Sequence, residues 1–279
     1  MAGRMDGKVA FITGAARGQG RSHALRLAQE GADIIAVDIC ADIDTVTPYY
    51  SLGTEDELNE TVRQVEALDR RIVARRADVR DLDGLQTAFD EGLAELGHVD
   101  AVVANAGIAT YGKAWELSAQ QWKDMIDVNL TGVFHTAKVA IPSMIEADRG
   151  GTILFTSSIG GLKGIQNVAH YVSAKHGLVG LMRTLANELG PHRIRVNTIH
   201  PTNVDTIMIQ NPGTWAMFSP GDPEPSQEKA MPGFLSLNTL PVPWIESVDI
   251  SNAVLFLSSD EARYVTGVVF PVDAGAFVK

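Results

Sequence analysis

The sequence predicts an α/β fold: one doubly wound parallel sheet with helices on both faces, formed by residues 1–279 as a single domain. Three observations lead there. Strand and helix patterns alternate six times, the second strand pattern is apolar on both faces, and the first strand runs into a glycine-rich turn. Strands buried on both faces belong to parallel sheets, and strict alternation with helices belongs to crossover connections.

Taken in order, Val9 to Thr13 is a short apolar run and reads as the first strand. Ala24, Leu25, Leu27 and Ala28 give a helical face between Arg21 and Glu30, stopped by Gly31. Asp33 to Asp38 is the second strand, followed by a polar stretch from Ile39 to Gly53 that is long for such a connection. Thr54 and Glu57 form a capping box, opening a helix to about Leu68. A third strand is expected over Arg71–Ala77, a helix over Leu82–Leu96 and a fourth strand over Val99–Ala104. Ser118 with Gln121 caps a helix expected to run unbroken to about Ile145. Thr152–Phe155 is the fifth strand, Val172–Leu189 a helix, and Ile194–Ile199 the sixth strand. From Thr206 to Ile245 the pattern dissolves into a segment rich in proline, glycine and aromatic residues. A helix over Asp249–Leu257 and a strand over Val268–Val272 close the chain.

Composition narrows the function. Hydrophobic residues make up 45% of the chain, enough for a large core, and the net charge is -11. That charge opposes binding to nucleic acid or to an anionic membrane surface. The pair Arg75-Arg76 is answered at once by Asp78. Cys40 is the single cysteine, which excludes an internal disulfide framework and suits a reducing compartment. The leader Met1–Lys8 has no apolar core of a signal peptide, and no apolar run is long enough to cross a bilayer, so a cytoplasmic location is expected. No metal site is expected.

The turn after the first strand reads Thr13-Gly14-Ala15-Ala16-Arg17-Gly18-Gln19-Gly20. Glycines there let a pyrophosphate approach free N–H groups at a helix N-terminus. A strand before and a helix after distinguish this turn from a merely flexible loop. Asp38 ends the second strand eighteen residues beyond Gly20, where a carboxylate can accept from both hydroxyls of an adenosine ribose. The same charge would repel a 2′-phosphate, so NAD is expected over NADP. Arg17 is the counter-signal, since an arginine in the turn could neutralise that phosphate. Asp78 and Val79 end the third strand, where an adenine should lie. Asn105-Ala106-Gly107 end the fourth, where small residues leave room for the ribose.

Tyr171 and Lys175 are four apart on a helical pattern and project from one face. Moving hydride to or from an alcohol carbon requires a partner for the hydroxyl proton. A free tyrosine, with a pKa of about 10, is a poor one at neutral pH. A neighbouring ammonium and a nicotinamide cation would both lower that pKa. Ser158, thirteen residues before Tyr171 at the end of the fifth strand, could hold the substrate oxygen beside the phenol. Asn129 lies mid-helix, either as an amide bonding the backbone or as the holder of a water that returns protons to Lys175.

Together these motifs closely resemble the short-chain dehydrogenase/reductase family, and the resemblance runs over nearly the whole chain. Thr13 to Gly20, Asp78, Asn105-Ala106-Gly107, Asn129, Ser158, Tyr171 with Lys175, Ile194-Arg195-Val196-Asn197 and Asp273-Ala274-Gly275 match in order. The resemblance implies a Rossmann fold, catalysis by Asn129, Ser158, Tyr171 and Lys175, a lysine contact to the nicotinamide ribose, and a homotetramer. It also implies cofactor contacts from Pro201, Val204 and Thr206. The Pro-Gly frequent after the sixth strand is replaced by His200-Pro201-Thr202-Asn203-Val204-Asp205-Thr206. His200 could be proposed as a base, but reads better as a residue filling space beside that turn. The glycine turn, the Ile39–Gly53 insert and the His200–Thr206 run look like the mycofactocin-coupled, carveol-dehydrogenase-like branch. That likeness implies a nicotinamide held tightly and recycled by an external redox carrier.

The segment at about 207–245 is expected to form a lid over the nicotinamide. Its Met208, Trp215, Met217, Phe218, Met231, Phe234, Leu235 and Trp244 suggest either a hydrophobic substrate, such as a terpenoid or another cyclic alcohol, or a subunit interface. Oxidation of a secondary alcohol, or the reverse reduction of a ketone, is the expected activity. Epimerase, dehydratase or dehalogenase chemistry on the same scaffold, and non-catalytic NAD sensing, are the alternatives.

Overall fold

The structure is a computed structural model describing residues 3–219 and 221–279; Met1 and Ala2 of the polar leader and Pro220 of the lid lie outside them. Seven strands form one parallel sheet in the order β3-β2-β1-β4-β5-β6-β7. They are β1 (Val9–Thr13), β2 (Asp33–Asp38), β3 (Ile72–Arg76), β4 (Ala101–Ala104), β5 (Gly151–Thr156), β6 (Ile194–Pro201) and β7 (Val269–Val272). The chain winds outward from β1 to β3, then returns to pair β4 with β1, so the winding reverses between β1 and β4. A crevice at the carboxyl ends of strands opens where that reversal occurs, and open α/β sheets bind ligands there.

Every residue of β1, β2 and β4 is buried, which explains their unbroken apolar patterns. One face is covered by α1 (Gly18–Gln29), α2 (Glu55–Glu66) and α9 (Ser247–Ser258), which bury Leu27, Leu58, Val65, Ile250 and Val254. The other carries α3 (Leu82–Leu96), α4 (Ala119–Ile126), α5 (Gly132–Ala147) and α6 (Ala169–Leu189), with Phe89, Met125, Val133 and Leu178 inside. Phe89 meets Phe11 of β1 edge to face at 5.1 Å. The capping boxes at Thr54/Glu57 and Ser118/Gln121 are both formed.

Two elements differ from the sequence-based expectation. The long helix after Ser118 is not continuous: a π-helical turn at Asp127–Thr131 separates α4 from α5. Such turns are frequent at functional sites, and this one carries Asn129. The segment after Thr206 also has more regular structure than its composition suggested, containing α7 (Pro212–Phe218) and α8 (Gln227–Leu237). Asn211 and Ser226 cap these helices by accepting from Thr214 and Lys229 backbone N–H groups. Among the described residues, no helix is long and apolar enough to cross a membrane.

Candidate active site

A cavity of about 520 Å³ follows the carboxyl ends of β1, β2, β3 and β4. It is lined by the glycine turn (Gly14, Arg17, Gly18, Gln19 and Gly20), by Asp38, by Asp78 and Val79, by Asn105, Ala106 and Gly107, and by Thr206. The turn cannot tolerate side chains at two places. Gly14 has φ +70° and a Cβ there would lie 2.9 Å from the Ala106 backbone; at Gly20 it would lie 1.9 Å from the Gly14 carbonyl oxygen. Asn105 ties β4 to the same turn, donating from Nδ2 to the Thr13 carbonyl at 3.1 Å.

Asp38 is almost fully buried and accepts from the backbone N–H groups of Ala16, at 3.0 Å, and Cys40, at 3.1 Å. Burial pushes its pKa above the ordinary value, partly opposed by those two N–H groups and by Arg17. Arg17 itself is committed elsewhere. It donates to the Ser51 carbonyl and pairs with Glu57 at 3.4 Å, so it is already engaged within the protein. Asp78 pairs with Arg80 at 2.7 Å, and Arg80 reaches on to Asp124 at 3.5 Å.

The Ile39–Gly53 insert, whose length and position suit it to covering the adenosine side, is a wall of this cavity. Its Ile43, Val46 and Tyr50 are buried, and Ile43, Tyr50, Ser51, Leu52 and Gly53 line the space. Thr45 donates to Asp124 at 2.8 Å, pinning the insert to α4. Its far end meets the lid: a Cβ on Gly213 would lie 2.5 Å from the Tyr49 ring, and the Tyr49 hydroxyl donates to the Tyr111 carbonyl at 2.9 Å. Tyr111 in turn bonds Thr214 of α7 at 2.6 Å. Tyr50 and Tyr111 carry no motif, and only the insert's unusual length and place in the chain marked the region.

The lid divides its apolar residues between two tasks. Phe218, Phe234 and Trp244 pack on one another, with centroids 4.2 and 5.6 Å apart, and hold α7 to α8. Ile207 and Met208 face the cavity. Val204 is buried and pairs with Ile245, while Pro201 ends β6 beside Val272; neither lines the cavity, whereas Thr206 approaches Gly18.

Ser158, Tyr171 and Lys175 meet at the Gly107 end. Helix α6 begins at Ala169, three residues before the sequence-based start, and so includes Tyr171 in its first turn. That start is held by Thr110, which bonds His170 at 2.8 Å, and by Gly112, which donates to the Asn167 carbonyl at 2.8 Å. A Cβ on Gly160 would lie 3.3 Å from Tyr171 Cε1 and 3.5 Å from Ser158 Oγ, so phenol ring and hydroxyl are neighbours across that glycine. Lys175 Nζ lies 5.5 Å from the Tyr171 ring centroid and donates to the Thr156 carbonyl at 2.8 Å. A Cβ on Gly107 would stand 3.7 Å from the same Nζ and 3.1 Å from Asn129 Oδ1.

The protonation pattern departs from the sequence-based expectation of a lowered tyrosine. Tyr171 is half-buried, and burial pushes its pKa above the ordinary value, with the neighbouring Ser158 hydroxyl opposing. Burial likewise brings Lys175 down to about 7. Desolvation disfavours both charged forms and outweighs their mutual attraction. The Asn129 amide bonds the backbone: Oδ1 accepts from the Ile108 N–H at 2.9 Å and Nδ2 donates to the Ile108 carbonyl at 2.8 Å.

The model of the short chain dehydrogenase family matches residues 8–216. The chain is 53% identical over 277 residues to a (-)-trans-carveol dehydrogenase of Rhodococcus erythropolis, covering 99% of each. A crystal structure of carveol dehydrogenase from Mycobacterium avium in complex with NAD superposes with a TM-score of 0.97 at 54% identity, covering 99% of this chain and 100% of that one. A short chain dehydrogenase from Mycobacterium paratuberculosis bound to NAD gives 0.90 at 42% identity, again over 99% and 100%.

Proposed function

The chain belongs to the short chain dehydrogenase family, and from that premise we propose that it is an NAD-dependent dehydrogenase exchanging hydride with a hydrophobic secondary alcohol or ketone, with Tyr171 carrying the proton. The observation that carries this reading is the grouping of Ser158 with Tyr171 and of Tyr171 with Lys175, whose Nζ lies behind Gly107, a residue lining the strand-end cavity that also holds Asp38.

The residues present fit a dinucleotide. The glycine turn leaves backbone exposed where a Cβ would collide, and the cavity is within the volume range of cofactor sites. Asp38, held by two N–H groups, keeps lone pairs for ribose hydroxyls, and Arg17 is engaged by Glu57 and Ser51, which favours NAD over NADP. Asp78 and Val79 would flank the adenine; Thr206, which lines the cavity, would face the phosphate, with Pro201 and Val204 behind it setting the course of the chain toward the carboxamide. When bound, NAD supplies the hydride acceptor, or in its reduced form the donor.

Ser158 donates to the substrate oxygen. Tyr171 takes the hydroxyl proton during oxidation and returns one during reduction. Lys175 stands between Tyr171 and Gly107, where it can hold the nicotinamide ribose and pass protons from solvent. Asn129 serves this relay by fixing the backbone of Ile108 beside Lys175, because its amide is engaged there at both ends.

Resemblance to the carveol dehydrogenases supports a cyclic terpenoid-like substrate, with Ile207 and Met208 from the lid at its cavity. The branch likeness of the glycine turn, the insert and the His200–Thr206 run is the ground for proposing that an external carrier such as mycofactocin recycles the bound cofactor. The whole chain works as one domain, with residues 207–245 as the lid. Exposed Trp122 on α4 and Phe134 on α5 supply an apolar face for a homotetramer, and Cys40 as the single cysteine suits the cytoplasm. The test is a panel of cyclic alcohols assayed with an artificial electron acceptor, with product analysis. Ketone formation is expected; conversion without net oxidation would favour an epimerase or dehydratase and contradict the proposal.

A further inference from the structure

We infer that His200 is the positioning residue for Ser158, a conclusion that rests on the role given to Ser158 above. His200 is fully buried at the end of β6, and β6 lies beside β5, from whose end Ser158 departs. Its Nδ1 is 2.6 Å from the Ser158 carbonyl oxygen and its Nε2 is 2.8 Å from Thr198 Oγ1. A carbonyl only accepts, so Nδ1 carries the ring proton; the neutral ring then accepts at Nε2 from the Thr198 hydroxyl. Both nitrogens are occupied. The ring is therefore a strut from Thr198 to the Ser158 backbone, with neither nitrogen left to act as a base or merely fill space.

The strut completes the fixing of Ser158. Its backbone is extended, with φ -170° and ψ 166°, and its Oγ already accepts from the Gly160 N–H at 3.0 Å. With Oγ held on one side and the carbonyl on the other, the peptide plane that sets the Cα–Cβ direction has no free rotation. Gly161 lies against the ring as well as against Ser157 and Lys175, since a Cβ there would lie 2.4 Å from Ser157 Oγ, 2.8 Å from the Lys175 carbonyl oxygen and 3.2 Å from His200 Cε1. Burial brings the His200 pKa down to about 4, which preserves the neutral tautomer that the geometry uses.

Two substitutions separate positioning from bulk. His200→Asn places an amide N–H where Nδ1–H stood, whereas His200→Gln places it near Nε2 and leaves the Ser158 carbonyl only the Gly161 N–H, at 2.9 Å. In ketone reduction by the full-length protein, Asn should keep kcat within about threefold while Gln loses roughly ten- to hundredfold, the scale of a misplaced reacting group. KM for NADH should stay unchanged in both. In a Ser158→Ala background the Gln substitution should cost nothing further, because the group it positions is gone. Equal losses for Asn and Gln, or losses that add to that of Ser158→Ala, would overturn the inference. Wild-type turnover in Ser158→Ala alone would remove its premise. If thermal melts show the Gln variant unfolded, Thr198→Val repeats the test from the far end of the strut: a severalfold kcat loss is expected in the native background and none with Ser158→Ala, and additive losses again overturn it.

Discussion

At the adenosine end of the cleft, Asp38 leaves β2 and is held by N–H groups of Ala16 and Cys40, all within 24 residues of one another in sequence. At the reaction end, Lys175 leaves α6 to reach the Thr156 carbonyl, Thr110 fixes His170, and His200 braces Ser158 across strands. The first end is made of strand termini and backbone. The second is made of side chains brought together from four separate parts of the chain. Local turn chemistry suffices to cradle phosphates and ribose, whereas proton transfer needs groups whose pKa values are reset by burial, and burial is a property of the whole fold.

That contrast can be broken at either end. The largest effect short of the tyrosine itself is expected from Lys175→Met, which should lower turnover by about 10²- to 10⁴-fold, the range for loss of an acid–base group. NADH binding, followed by fluorescence quenching, should weaken far less. Next comes Asp38→Ser, which should raise KM for NAD by roughly tenfold and narrow the preference over NADP, since the carboxylate both accepts from the ribose and repels a 2′-phosphate. Cofactor kinetics with both dinucleotides would show it, and an unchanged preference would return Arg17 to consideration.

Much of the adenosine end was legible in the sequence because its signals are local. Gly14, Gly18 and Gly20 are spaced by the turn they form, and Asp38 is marked by the strand it ends. Tyr171, Lys175 and Ser158 were legible as a motif, but the direction of the Tyr171 pKa was not, because the sequence shows an ammonium one turn away and not the protein that encloses both. Asn129 was visible as an odd helix residue, though not the π turn that carries it. The insert was noticed for its length and for a place in the chain that suits covering the adenosine side, but not for its buried residues. Its Tyr50 is buried and its hydroxyl accepts from the Ala109 N–H at 2.8 Å, and nothing within fifteen polar-looking residues announces that neighbour.

The insert–lid contact sharpens the comparison further. Gly213→Ala pushes a methyl into the Tyr49 ring and should separate α7 from the insert. A few-fold rise in KM for a bulky cyclic alcohol is expected, with little change for a small one, because the lid rather than the cofactor cradle is disturbed. Steady-state kinetics with matched large and small substrates would check it.

The smallest effect concerns stability. His23 and His200 are buried with folded pKa values near 3 and 4, below the ordinary 6.5 that the unfolded chain would show. Unfolding therefore takes up protons as pH falls below 6.5, so their contribution is fully present above that value and is lost progressively toward pH 4. Each should contribute a slope of about 1.4 kcal/mol per pH unit in that window. Urea midpoints measured across it, for the native chain and His200→Asn, would resolve the share of His200.

The proton-transfer role of Tyr171 is tested most directly by single-turnover oxidation of protein-bound NADH with a cyclic ketone, in the native chain and in Tyr171→Phe. The phenylalanine variant should bind NADH as tightly as the native chain yet oxidise it about 10²- to 10⁴-fold more slowly. Oxidation at close to the native rate would mean that another group supplies the proton, and the chemistry assigned to the Gly107 end of the cleft would be wrong.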